Sequence, residues 1–178
     1  MKSAPGTARL FFAAWPAPEI QQALGKLALE LQPHCGGRAI AARNIHLTLV
    51  FLGDVERASL PHIESLARAV AAPRFALDVD RVQYWRHNRI VWAGVAQCPP
   101  GAAALVGQLE AAVAEAGMRV ERRPYVPHIT LLRDARHAPA DASVPTVAWP
   151  VDRYALVESA PRDRGRIYEP LREWPLTA

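Results

Sequence analysis

The 178-residue sequence predicts a duplicated fold of mixed strands and helices, in which a strand–helix–strand unit occurs twice, over roughly residues 8–54 and 90–134. Three observations lead there. A His-x-Thr pair opens two of the most apolar segments, at His46 and Thr48 and again at His128 and Thr130, 82 residues apart. The same shift superimposes an apolar strand and an amphipathic helix that precede each pair. The length suits one domain, or two small and closely packed lobes, and is enough to bury a substantial core.

In the first unit, RLFFAA at 9–14 is bulky and apolar enough for a strand, and the prolines and acid of 16–19 stand where a helix would begin. Ile20, Leu24, Leu27 and Leu31 follow on one helical face, and Gly36 and Gly37 close it. The chain then re-enters an extended segment containing His46. In the second unit, IVWAGVA at 90–96 matches the first strand. Residues 101–116 match the helix, with Leu105, Leu109, Ala112, Val113 and Ala116 as its stripe and Gly117 as its stop. Elsewhere a helix is expected over 59–71, strands around Phe75, Leu77 and Val79 and around Tyr154, Leu156 and Glu158, and a loop through ARHAPADAS after the second motif. No tract is long enough to separate independent domains.

Composition narrows the classes. Two cysteines, Cys35 and Cys98, form neither a disulfide framework nor a zinc cluster, which suits a reducing cytosol. The apolar run near the start is broken by Arg9, Pro16 and Pro18, so no signal peptide is expected, and nothing approaches the roughly 20 apolar residues of a membrane span. A soluble, cytoplasmic protein is expected, with a monomer as the default. The formal charge of +4 comes almost wholly from arginine, whose fork suits phosphate, although the abundance of alanine and proline shows that coding bias would give the same result.

Residues two apart on a strand share a face, so each His and Thr point together, away from their apolar neighbours. With six histidines and five threonines in the chain, fewer than one such pair is expected by chance. If a two-fold axis relates the units, two imidazoles and two hydroxyls surround one point. Phosphodiester chemistry needs a proton removed from the nucleophile on one side and delivered to the leaving oxygen on the other, and histidine does either near neutrality. The threonines would donate hydrogen bonds to phosphate oxygens, and Arg133 would add charge. Strict alternation, however, turns Arg133 toward the core with Ile129 and Leu131, so it reaches the site only if the strand ends or bulges near Leu132. His34, His62, His87 and His137 have no repeated partner and are expected on the surface. Neither motif carries further ligands, so no metal is expected, and no phosphate loop for a nucleoside triphosphate is present.

HLTLVFLGD at 46–54 and RPYVPHITLLRDA at 123–135 resemble the two signature segments of the 2H phosphoesterases, in the branch of RNA 2′,3′-cyclic phosphodiesterases also called 2′-5′ RNA ligases. RLFFAAWPAPEI, NRIVWAG and LVESAPRDRGRIYEPL extend the resemblance along nearly the whole chain. It implies a bilobal α+β fold with pseudo-two-fold symmetry: two antiparallel sheets backed by helices, and the active site in the central cleft. It implies hydrolysis of a 2′,3′-cyclic phosphate at an RNA end to a 2′-phosphomonoester, without metal or other cofactor. His128 would be the proton acceptor, His46 the donor, and Thr48, Thr130 and Arg133 the phosphate contacts. The motifs alone are symmetric and do not orient the two histidines. With an RNA 5′-hydroxyl in place of water, the same chemistry would join RNA by a reversible 2′-5′ bond.

Phe11, Phe12 and Tyr125 are candidates to stack on the base. Alternatives are a cyclic phosphodiesterase acting on a small nucleotide, of the ADP-ribose cyclic phosphate type, or a binding module for nucleotide or RNA without turnover. A stripe of arginines leading from the cleft would favour a polynucleotide, and Arg119, Arg122, Arg123, Arg162, Arg164 and Arg166 are available for one.

Overall fold

The computed structural model describes residues 6–120, 123–140, 146–162 and 165–178. The chain runs through β1 (Thr7–Ala14), α1 (Pro18–Cys35), a two-residue β2 (Arg38–Ala39), β3 (Leu47–Glu56), α2 (Leu60–Arg68), β4 (Phe75–Val79) and β5 (Arg81–Trp85). It continues through β6 (Ile90–Gly94), α3 (Pro100–Glu115), β7 (His128–Arg133), β8 (Val147–Val151), β9 (Arg153–Arg162) and β10 (Gly165–Pro175). Two four-stranded sheets result, in spatial order β10-β9-β1-β3 and β2-β7-β6-β5, with β4 and β8 as a separate pair. The strand pairings are antiparallel. This is a two-lobed α+β architecture with one sheet per lobe.

Local chemistry explains the elements. On β1, Leu10, Phe12 and Ala14 alternate into the main core, while Phe11 and Ala13 face the other way into a small cluster with Ala155 and Val157. Both faces of β1 are therefore covered, which is why RLFFAA reads as almost continuously apolar. Proline opens α1 and α3 at their first turns, where a missing N–H costs nothing. Leu24, Ala28 and Cys35 of α1, and Leu105, Leu109 and Val113 of α3, face the core. Burying each leucine contributes about 1.5–3 kcal/mol.

Gly36 and Gly37 end α1 at φ of +69° and +81°, in the left-handed region that favours glycine. A Cβ on Gly37 would come within 2.8 Å of both the Asp134 carbonyl carbon and the Ala135 amide nitrogen. The turn after α1 is thus pressed directly onto the end of β7.

Some elements differ from the sequence expectation. The helix expected over 59–71 is a short 3-10 turn, Arg57–Ser59, running into the shorter α2. Strands β5, β8 and β10 were not anticipated. Pro150 in β8 and Pro170 in β10 argue against strand by propensity, but β8 lies in a two-stranded sheet and β10 at a sheet edge, where a residue without an N–H is tolerated. Phe12, a candidate for base stacking, is instead a core residue at 1% exposure.

Candidate active site

Each motif sits at the start of a strand that carries a one-residue bulge in the same place. On the first, Thr48 lies opposite Ala13 and Val50 opposite Phe12, which leaves Leu49 without a partner. On the second, Thr130 lies opposite Trp92 and Leu132 opposite Val91, which leaves Leu131 over. An extra residue resets the two-residue alternation, so side chains beyond it change faces. Leu131 and Leu132 are accordingly both buried, and Arg133 is exposed. The bulge on which the position of Arg133 depended is present, and its twin on β3 puts Phe51, opposite Phe11, on the face that carries Thr48.

The two histidines are held alike. Nδ1 of His46 lies 2.7 Å from the Asn44 carbonyl oxygen, and Nδ1 of His128 lies 2.9 Å from that of Val126, in each case two residues back. A carbonyl only accepts, so both Nδ1 atoms carry hydrogen and the proton-exchanging atom of each ring is Nε2. Nε2 of His46 accepts from the Thr48 hydroxyl at 3.1 Å. The Tyr125 hydroxyl, which burial keeps firmly protonated, donates to the Thr48 carbonyl at 3.2 Å and ties the segment before β7 to β3.

The environments of the rings differ in degree. Trp15 stacks on His46 with centroids 5.0 Å apart and planes 14° apart, and Phe11 and Tyr168 close in at 5.2 and 4.9 Å. Burial, followed by the charges of Arg133 and His128, pushes the His46 imidazole down to about 4, against its Asn44 hydrogen bond. His128, flanked by Trp85 at 4.7 Å and Trp92 at 6.3 Å, is also lowered, by burial and then by Arg133. One guanidinium thus acts on both rings. The structure brings His46, Thr48, His128, Thr130 and Arg133 to facing strands of the two lobes, which pack against each other.

Other sequence candidates fall differently. His34, His62, His87 and His137 are exposed. Phe11 lies beside the site but is buried against His46 rather than open to a base. Arg166 is held by Ser159, its Nη2 donating to the backbone oxygen at 2.8 Å. Arg122 and Arg164, and the side chain of Arg162, lie outside the described residues. The reading of the residues missed Trp15, Phe51, Trp85 and Tyr168. Phe51 was recoverable from the repeat, since it stands 82 positions before Arg133. The others reach the site from turns, an edge strand and a sheet neighbour, and no local pattern marks them.

A family model of the 2′-5′ RNA ligase superfamily matches residues 16–163. The chain belongs to this superfamily. Among its members, the RNA 2′,3′-cyclic phosphodiesterase of Escherichia coli K12 is 38% identical over 175 residues, covering 95% of this chain and 97% of that one. The protein of the same name from Thermus thermophilus is 30% identical over 181 residues, covering 94% and 90%. Among solved structures, that of E. coli LigT complexed with 3′-AMP matches with a TM-score of 0.86 at 34% identity, over 97% of this chain and 99% of that one. TT0787 of T. thermophilus matches with a TM-score of 0.78 at 30% identity, over 94% and 97%. The two-lobed, two-sheet fold described above is therefore that of the 2′-5′ RNA ligase superfamily along essentially its whole length.

Proposed function

We propose that this protein hydrolyses RNA 2′,3′-cyclic phosphate ends to 2′-phosphomonoesters by proton transfer between two histidines. His128 Nε2 takes a proton from water as the water oxygen bonds to phosphorus. His46 Nε2 gives a proton to the 3′ oxygen as the P–O3′ bond breaks. The hydroxyls of Thr48 and Thr130 donate to the non-bridging oxygens, and Arg133 balances the charge that grows on them in the transition state. Because each lobe supplies one histidine, residues 1–178 act as one domain.

The observation that carries this reading is the pair of imidazoles that each keep Nε2 for proton exchange, His46 with the Thr48 hydroxyl on it, on facing strands and both within the field of one exposed guanidinium. Relatives with 38% and 30% identity that are named for this activity support it. Burial, and after it the charge of Arg133, favours the neutral form of both rings, which suits the acceptor. The donor regains its proton when the phosphate anion enters, since a negative charge beside the ring opposes the effects of burial and of Arg133.

The experiment is incubation with adenosine 2′,3′-cyclic phosphate in EDTA. Conversion to the 2′-phosphate by the native chain, and loss of conversion in His46→Ala and His128→Ala, is the expected result. Formation of the 3′-phosphate, or turnover that stops with the chelator, overturns the mechanism.

A further inference from the structure

The formal charge of +4 is not spread evenly. Arg38, Arg86, Arg89, Arg133 and Arg136 are all exposed at one end of the second lobe, around the close of β7 and the β5–β6 turn. Among the described residues, Asp134 is the carboxylate paired with them. It accepts from Arg38 Nη2 at 2.9 Å and from Arg89 Nη2 at 3.3 Å, and is held below the usual carboxylate range by the hydrogen bond and charge of Arg38 and by the charges of Arg89 and Arg133. Its charge is thereby committed. Among the described residues, Arg86, Arg133 and Arg136 have no carboxylate partner.

Arg86 and Arg136 line one open cavity of about 350 Å³ together with Tyr84 and His137. Arg136 is three residues beyond Arg133, at most roughly 10 Å along an extended chain. The segment is rigidly placed: the Arg136 and His137 amides both donate to the Cys35 carbonyl, the Ala135 amide to the Arg89 carbonyl, and the Tyr84 hydroxyl to the Ala135 carbonyl.

The first lobe supplies a built-in comparison. Eighty-two residues earlier, Phe51 stands for Arg133, Asp54 for Arg136 and Glu56 for Ala138. Its arginines there are neutralised in place, Arg9 by Asp54 at 3.5 Å and Arg57 by Glu158. The cavity at that end is edged by Asp54 and Glu56 and by a single arginine, Arg119, so acid and base are mixed there. A polyanion entering the cleft meets roughly balanced charge on one side and unbalanced positive charge on the other.

From this asymmetry we infer that the RNA strand upstream of the cyclic phosphate leaves the cleft over the second lobe, with its next phosphates held by Arg136 and Arg86. This rests on the phosphodiesterase reading and extends it, because it makes an oligonucleotide a better substrate than a mononucleotide. Arginine forks are suited to such phosphates, and the contact is electrostatic, so it weakens with salt.

The test compares adenosine 2′,3′-cyclic phosphate with a ten-nucleotide RNA carrying the same end, at low and high salt. The variants are Arg136→Glu, Arg86→Glu and, as a control with the same charge change, Lys26→Glu on the exposed side of α1. Direct binding of the ten-nucleotide RNA bearing a 2′-phosphate is measured in parallel. Expected at low salt is a five- to tenfold preference for the oligonucleotide that shrinks as salt rises, and that either arginine variant largely removes while Lys26→Glu keeps it.

Arg86→Glu secures the test should Arg136→Glu, whose side chain packs on Gly36, fail to fold. Equal losses on both substrates, or equal losses in Lys26→Glu, overturn the inference. Failure to hydrolyse either substrate overturns the phosphodiesterase reading instead, and the binding comparison still decides the path of the strand.

Discussion

Phe51 and Arg133 occupy the same station in the two halves of the molecule, each five residues beyond a motif histidine and just past a bulged leucine. The Arg9 guanidinium covers one face of the Phe51 ring at 4.8 Å, and the residue is 47% exposed. One half therefore presents an aromatic plane where the other presents a cation.

The plane is suited to a nucleobase. Phe51→Ala is expected to raise KM for a cyclic nucleotide roughly tenfold with little change in kcat, within the 1–3 kcal/mol that stacking contributes per base. Phe51→Trp should keep the native KM. Steady-state kinetics on a ribose 2′,3′-cyclic phosphate lacking the base is the check: a KM increase there too would show that Phe51 does not touch the base.

Arg133 should behave in the opposite way. Arg133→Ala is expected to lower kcat about 10²–10³-fold, as for loss of one strong donor to a developing oxyanion. Arg133→Lys should recover only part, because the point charge lacks the fork. Removing the charge also relieves repulsion on both imidazoles, so their titrations, followed by NMR in Arg133→Gln, should move upward. No movement of either would place Arg133 away from the rings.

The two histidines can be told apart chemically. His46→Ala and His128→Ala are each expected to lose about 10²–10⁴-fold on the natural diester. On a substrate with sulfur in place of the 3′ bridging oxygen, a good leaving group that needs no proton, His46→Ala should recover and His128→Ala should not. Recovery of His128→Ala alone would exchange the roles of donor and acceptor.

Acid should loosen the fold through His46. Its folded value, about 4, lies below the ordinary 6.5, so the unfolded chain binds the extra proton first. Stability is fully present above pH 6.5 and falls as pH drops toward 4, by about 3 kcal/mol at most. The difference in unfolding free energy between pH 7 and pH 4.5, from urea titrations, should be smaller in His46→Gln than in the native chain. An equal difference would show that this ring carries no such linkage.

Gly37→Ala is expected to lower activity from outside the cleft. The added Cβ meets the Arg133–Ala135 backbone and also requires a left-handed residue, so destabilisation of about 1–3 kcal/mol and a displaced Arg133 should follow. Thermal unfolding and kcat should fall together. A native kcat would mean that β7 absorbs the push elsewhere.

Much of this was legible because the chain repeats its own pattern. The apolar stripes of α1 and α3, and the two His-x-Thr pairs, are local signals with the right periods, and the shared offset converts weak readings into a strong one. The bulges were readable only as a condition on Arg133, since a bulge is defined by what lies opposite it. The aromatic walls around His46 and His128 were not readable. Tyr168 comes from an edge strand whose prolines and charges disguise it, and Trp85 closes the strand before a hairpin turn. Arg166, by contrast, was legible as a cation but not as one already held by Ser159.

The unlike side chains beyond the paired bulges bear on which bond is cut. A pocket with perfect two-fold symmetry would accept a cyclic diester in two orientations, open either P–O bond, and release a mixture of 2′ and 3′ monoesters. Duplication within a single chain lets the halves diverge, so that a ring on one wall and a guanidinium on the other would admit the nucleotide one way round. On the proposed mechanism, the regiochemistry of the product would then be written into a difference between two residues, and not into the two histidines.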